Sequence, residues 1–224
     1  MKIQDKFMKL DDFSRSIGNS ISKLSDQKIE ILNSSFDPFS ITECPRRLIY
    51  KTGGRYEDNR SYLDICIQES IQKKWVDFFN YTKNIGLEDF NVIVNDHNFN
   101  LLGKIDILVN INGASIPVKI KALSDTDFVK IQTGGGFKKD VTELIICTWM
   151  AEKKDGLLIY ENINNQQYII FHVETYKPII DSIKTKCVGL LDHKINGTIP
   201  NQPYKKDDSE ECKKCEFFKM CWNN

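Results

Sequence analysis

The sequence has no net charge, no long apolar run and few histidines. Lysine plus arginine number 31, and aspartate plus glutamate number 31. A nucleic-acid binder usually carries a basic excess. Any contact with DNA must therefore come from a local cluster of cations rather than from the whole surface. No run approaches the roughly 18 apolar residues of a membrane span. The first ten residues, Met1 to Leu10, are charged and lack the apolar stretch of a secretory signal. The expected location is a reducing compartment, the cytoplasm, or the host cytoplasm if the protein is viral. There the 7 cysteines argue against a disulfide framework and for metal ligation or buried thiols. The 3 histidines, His97, His172 and His193, match no ligand spacing. Gly134-Gly-Gly136 is not followed by the Lys-Ser/Thr of a phosphate loop and reads as a flexible linker. There is no internal repeat and no low-complexity tract.

What is present points to a packed α/β protein. The 224 residues are 41% hydrophobic and 28% charged, enough for one sizeable core. Residues 1–32 carry helical spacing (Phe7, Leu10, Phe13, Ile17, Ile21, Leu24), which predicts surface helices. Thr42 and Pro45 mark a short helix start. Residues 61–82 read as a longer amphipathic helix through Leu63, Ile67, Ile71, Trp75, Phe78 and Phe79. Strands are expected at 90–95, 101–111 and 116–122, with Asn112-Gly113 as a turn. A helix at 139–152, strands at 156–162 and 166–173, and a helix at 175–194 complete the order. This predicts an α/β core fed by an antiparallel meander. The expected organisation is a helical segment at 1–35, a core at 36–195 and a cysteine-rich tail at 196–224.

The tail holds Cys212-Lys-Lys-Cys215 and then Cys221. Two intervening residues let both sulfurs face one inorganic centre. Cys44, beside Pro45-Arg46-Arg47, is the best remote candidate for a fourth ligand. Cys66, Cys147 and Cys187 lie in apolar-periodic segments and read as small buried hydrophobes. Spacing alone admits zinc as well as an iron–sulfur cluster.

Four pieces occur in one order: Cys44-Pro-Arg-Arg-Leu-Ile-Tyr50, Gly103-Lys-Ile-Asp106, Pro117-Val-Lys-Ile-Lys121 and Cys212-x2-Cys215-x5-Cys221. That order resembles the RecB-like PD-(D/E)XK exonucleases with an iron–sulfur cluster, the branch that includes the nuclease of CRISPR adaptation. The resemblance implies a restriction-endonuclease-like core, with a mixed central sheet flanked by helices. It implies that Cys44, Cys212, Cys215 and Cys221 hold a [4Fe-4S] cluster. It further implies a DNA substrate, single-stranded or at ends, and Mg²⁺ or Mn²⁺ for hydrolysis. A place in a replication, recombination or viral assembly follows from the same resemblance.

The chain departs from that pattern at the chemistry. Asp106 matches the metal-binding Asp and Lys121 the motif Lys, but the second metal-binding acid reads Lys119. The position of the family's helical His reads Gln68, followed by Glu69. The position of its later Gln reads Glu143, and that of the accompanying Tyr reads Cys147. Glu to Lys changes the local charge by two units where a divalent ion should sit. Two expectations follow. In the first, Lys119 and Lys121 contact a DNA phosphate and the domain binds without cutting. In the second, Glu143 or Glu69 supplies the missing carboxylate and the protein is an active exonuclease. A third possibility is a cluster-stabilised interaction scaffold without DNA. Arg46, Arg47, Lys130, Lys138 and Lys139 are the candidate DNA-binding cations.

Overall fold

The computed structural model describes residues 35–52, 61–203 and 209–222. The expected helices of residues 1–32 lie outside the described residues. A 3₁₀ turn at Ser40–Thr42 precedes α1 (Pro45–Thr52). Thr42 does not cap α1; its hydroxyl donates to the Phe39 carbonyl at 3.1 Å. Helix α2 (Tyr62–Tyr81) begins where predicted. Ser61 Oγ accepts from the Asp64 amide at 3.1 Å, and Asp64 reaches back to the Ser61 amide at 3.3 Å. This reciprocal cap satisfies two of the amides that a helix start leaves unpaired.

Five strands follow in one sheet, in the order β1 (Ile85–Asp96), β2 (Leu101–Ile111), β3 (Ala114–Leu123), β4 (Asp155–Asn162), β5 (Tyr168–Glu174). All neighbours are antiparallel except β3 and β4, which are parallel. A parallel pair needs a crossover. Two helices supply it, α3 (Asp125–Gly134) and α4 (Lys138–Met150). Sequence periodicity gave no sign of α3. It is a short helix capped by Ser124, whose Oγ accepts from the Asp127 amide at 3.3 Å, with Phe128 and Ile131 buried beneath. The glycine run is not a loose linker. Gly135 ends α3 at φ 78°, a conformation that favours glycine, and a Cβ on Gly136 would meet Val141 at 3.2 Å. Helix α5 (Lys177–Ile195) completes the core, and the tail carries α6 (Glu210–Lys213) and α7 (Phe218–Trp222). None of the described helices is long and apolar enough to cross a membrane.

The sheet is covered on both faces. On one, Ile71, Trp75 and Phe79 of α2 pack on Ile107, Val109, Val118, Ile120 and Ile159. On the other, Leu144 of α4 packs with Phe128, Ile131, Leu158 and Tyr160. Ile146 joins Phe36, Ile41, Leu48, Ile183 and Leu190. Helix α4 is therefore enclosed between the sheet and α5, and its residues from Thr142 to Thr148 are all buried.

Candidate functional site

The two middle strands part company at one point. The β2–β3 ladder runs from Ile111↔Ala114 to Ile107↔Val118 and stops. Beyond it, β2 and β3 no longer pair with each other: β2 stays on β1, with one isolated bridge from Leu101 to Phe36, and β3 stays on β4. Asn91 of β1, at φ 56°, lies where the β1–β2 register passes Asp106, between Phe90↔Ile107 and Val92↔Ile105. The fork exposes backbone groups that a continuous ladder would have paired, and buried groups of that kind need partners.

Side chains fill the fork. Asp106 Oδ2 accepts from the Ile120 amide at 2.8 Å. Gln68 of α2 donates to the Ile120 carbonyl at 2.7 Å and accepts from the Ala122 amide at 3.0 Å. Lys119 Nζ donates to the Lys104 carbonyl at 3.0 Å. Gln68 thus acts as a short piece of missing strand. Gln68→Ala is expected to cost about 2 kcal/mol, because it strands one buried donor and one acceptor. A urea midpoint measured against the parent checks this.

The charged groups of the site stand on the α4 face. Lys119 and Lys121, two apart on β3, point together as predicted. Lys119 Nζ lies 2.9 Å from Glu143 Oε1 and 3.3 Å from Asp106 Oδ1. Lys121 Nζ lies 2.6 Å from Glu143 Oε2 and 3.6 Å from Asp140 Oδ1. Tyr160 of β4 donates its hydroxyl to Asp140 at 2.9 Å and accepts from the Phe137 amide at 2.9 Å. Asp106, Lys119, Asp140 and Glu143 are all buried. Three buried carboxylates thus face two ammonium groups, one buried and one partly exposed.

Burial alone would lower the Lys119 ammonium, but Asp106 and Glu143 outweigh it and hold it well above the ordinary lysine range. Burial alone would raise the Glu143 carboxyl, but Lys119 and Lys121 hold it below its usual value. Burial pushes the Cys147 thiol beneath this cluster up to about 12. The depressed Glu143 stabilises the fold above its ordinary value of 4.5, and that contribution is lost as pH falls through its folded value. The raised Lys119 stabilises fully below its ordinary 10.5, and its contribution is lost as pH rises beyond that. Urea unfolding across pH is expected to give a plateau between these limits, with losses on the acid side below about 4.5 and on the alkaline side above about 10.5.

These residues do not fit a divalent ion. Asp106 and Glu143 are the carboxylates that would hold one. The Lys119 ammonium stands against both and against the Lys104 carbonyl, the place of a cation shared by those three oxygens. The expected phosphate contact also needs correction. Lys119 is 7% exposed and engaged with carboxylates, so it is not offered to a ligand. Lys121 is likewise engaged, and lies over the Phe39 ring at 4.8 Å. Glu143 reaches the site as expected, but its two oxygens are taken by the two lysines. Glu69 is exposed on α2 and supplies no carboxylate there. Asp140, Tyr160 and Phe39 had no place in the sequence expectation. Asp140 could have been found, because it lies three residues before Glu143 on one helix face; nothing in the sequence marked the other two.

The predicted cysteines gather around a separate cavity. Cys44, Cys212, Cys215 and Cys221 all line one cavity of about 600 Å³. Burial pushes the Cys215 and Cys221 thiols up. Among the described residues, no group of three or more His, Cys, Asp or Glu side chains closes on a single ion. Arg46, Arg47, Lys138 and Lys139 line the same cavity. Lys130 does not; it pairs with Asp127 on the surface of α3 at 2.7 Å. Arg47 is engaged by Glu43 at 3.3 Å and Glu216 at 3.1 Å.

Glu43 links the two centres. Its side chain, 8% exposed, also takes Lys51 at 3.1 Å and Lys139 of α4 at 2.7 Å, and its carbonyl accepts from Lys186 of α5. Burial would raise its carboxyl, but Lys139 and Lys51 outweigh that and lower it. Lys139 in turn lies 4.2 Å over the Phe39 ring that Lys121 also covers.

By sequence, the chain matches no family model and no curated protein. By structure it is similar to solved nucleases. Against an alkaline exonuclease from Laribacter hongkongensis the TM-score is 0.58 at 11% identity, covering 73% of this chain and 89% of that one. Against the same exonuclease in complex with dAMP it is 0.59 at 12% identity, covering 75% and 91%. Against a phage-related exonuclease from Haemophilus somnus 129PT it is 0.51 at 9% identity, covering 68% and 79%.

Proposed function

We propose that this chain, which has the restriction-endonuclease-like PD-(D/E)XK nuclease fold, acts on DNA as a binding protein whose cleavage chemistry is lost or weakened. The observation that carries this reading is Lys119. A buried ammonium neutralises Asp106, the acid that a nuclease of this fold would spend on a divalent cation, and Glu143, the relocated carboxylate that would have to complete the site. DNA as the ligand is supported by the fold and by the nucleotide in the Laribacter complex. Lys138, exposed where it lines the cysteine cavity, is the cation proposed to meet the phosphates. Glu143 stands at the site, so an active enzyme with a relocated carboxylate would have to displace both lysines from it.

Cys44, Cys212, Cys215 and Cys221 are the proposed ligands of a [4Fe-4S] cluster, which would cross-link the tail to α1. Four thiols around so roomy a cavity suit a multi-atom cluster better than a lone zinc gripped at about 2.3 Å by each sulfur. Zinc is the other outcome of a metal analysis.

Incubation of the purified protein with labelled single-stranded DNA, with and without Mn²⁺, tests the functional reading. Salt-sensitive retention of intact DNA is expected. Metal-dependent degradation that disappears in Asp106→Ala would establish the active enzyme instead. Absence of both would leave the scaffold.

A further inference from the structure

Among the described residues, three side-chain polar atoms are buried without a hydrogen-bond partner: Arg46 Nε, Thr148 Oγ1 and Trp222 Nε1. Two of the three belong to residues that line the cysteine cavity. Both are N–H groups that can only donate. A buried donor without an acceptor costs about 1–3 kcal/mol, so native folds seldom tolerate one. Here the two belong to residues that line one cavity from distant parts of the chain, Arg46 in α1 and Trp222 at the end of α7. The remainder of Arg46 is anchored, with Nη2 donating to the Tyr50 hydroxyl at 3.2 Å. Its neighbour Arg47 lines the same cavity with the same charge, but its Nε is already bound to Glu216 at 3.1 Å.

We infer that Arg46 Nε–H and Trp222 Nε1–H are hydrogen-bond donors to the sulfurs of an anionic cluster in this cavity, and that they raise its reduction potential. The inference rests on the cluster reading above. A thiolate-bound iron–sulfur group presents the acceptors these two donors lack. Donors to its sulfurs favour the more negative, reduced form, and such bonds are among the levers that set the potential.

The test uses the full chain, isolated without oxygen and assayed first for iron and sulfide. The midpoint is then measured by dithionite titration followed by electron paramagnetic resonance. Arg46→Lys keeps the charge and removes the N–H at that position; Trp222→Phe keeps the ring and removes its donor. Each is expected to move the midpoint to a more negative value, and Arg47→Lys is expected to leave it in place. Unchanged midpoints in Arg46→Lys and Trp222→Phe, with iron content intact, would overturn the donor assignment alone. An equal shift in Arg47→Lys would also overturn it, pointing to charge rather than a hydrogen bond. An iron-free parent protein would defeat the cluster reading and this inference together. Should one variant fail to assemble, the other decides.

Discussion

Lys119→Glu is expected to become more heat-stable when Mn²⁺ is added, whereas the unaltered chain is expected to be indifferent to the ion. In the parent, the Lys119 ammonium lies within 3.3 Å of Asp106 and Glu143 and occupies the position a metal would need. Replacing it with a carboxylate reverses the balance. Asp106, Asp140, Glu143 and the new acid then face Lys121 alone. Without metal the variant should be less stable than the parent by about 3–5 kcal/mol, the scale for a broken buried ion pair. With the ion at a hundredfold over its Kd, binding to the folded state restores about 2.7 kcal/mol. For a chain of this size that is a rise of roughly 5–10 °C in Tm. Differential scanning fluorimetry with and without Mn²⁺ measures the shift, and a labelled DNA strand incubated in parallel reports any cleavage regained. The same stabilisation in the parent would show that the ion displaces Lys119, and would restore the active-enzyme reading.

Cys215→Ser is expected to release the tail. Among the described residues, contacts that hold 209–222 include Phe217, 6% exposed and stacked on Tyr50 at 5.3 Å between centroids, Glu216 paired with Arg47, and Gln202 donating to the Cys221 carbonyl at 2.7 Å. The proposed cluster would tie residue 44 to residue 221 and constrain the unfolded chain as a disulfide would, by about 5 kcal/mol for so long a loop. Removing one ligand is therefore predicted to lower the melting temperature, reduce bound iron and open the tail to limited proteolysis. Cys66→Ser, on α2 and away from the cavity, should do none of these. A Cys215→Ser protein with parental melting and protease resistance would remove the cysteine centre from the account.

The residues that the sequence revealed are those whose meaning is carried by spacing. Lys119 and Lys121 share a face because a strand repeats every two residues. The helical stripe from Ile71 to Phe79 is buried because it repeats every three or four. Gln68 was marked as a site residue by the family resemblance, which places a His at its position, rather than by spacing. What spacing does not carry is which charge meets which. Lys119 alone suggests a cation awaiting an anion from outside. Only the fork between β2 and β3, with α4 packed against it, shows that Asp106 and Glu143 already serve. Asp140, Tyr160 and Glu43 escaped notice for the same reason, since each acquires its partners from a different element. Helix α3 escaped because ten polar-rich residues with two buried apolar positions make a weak periodic signal.

The hub at Glu43 has a mechanical consequence. It adjoins Cys44 in the chain, and its carboxylate holds the first turn of α4 through Lys139. That turn also carries Asp140, and Phe39 is shared between Lys139 and Lys121. Glu43, Lys139 and Phe39 thus form a contiguous run of contacts from the residue beside Cys44 to the charged cleft. Loss of order around Cys44 would reach Asp140 and Lys121 by that run even with the tail in place.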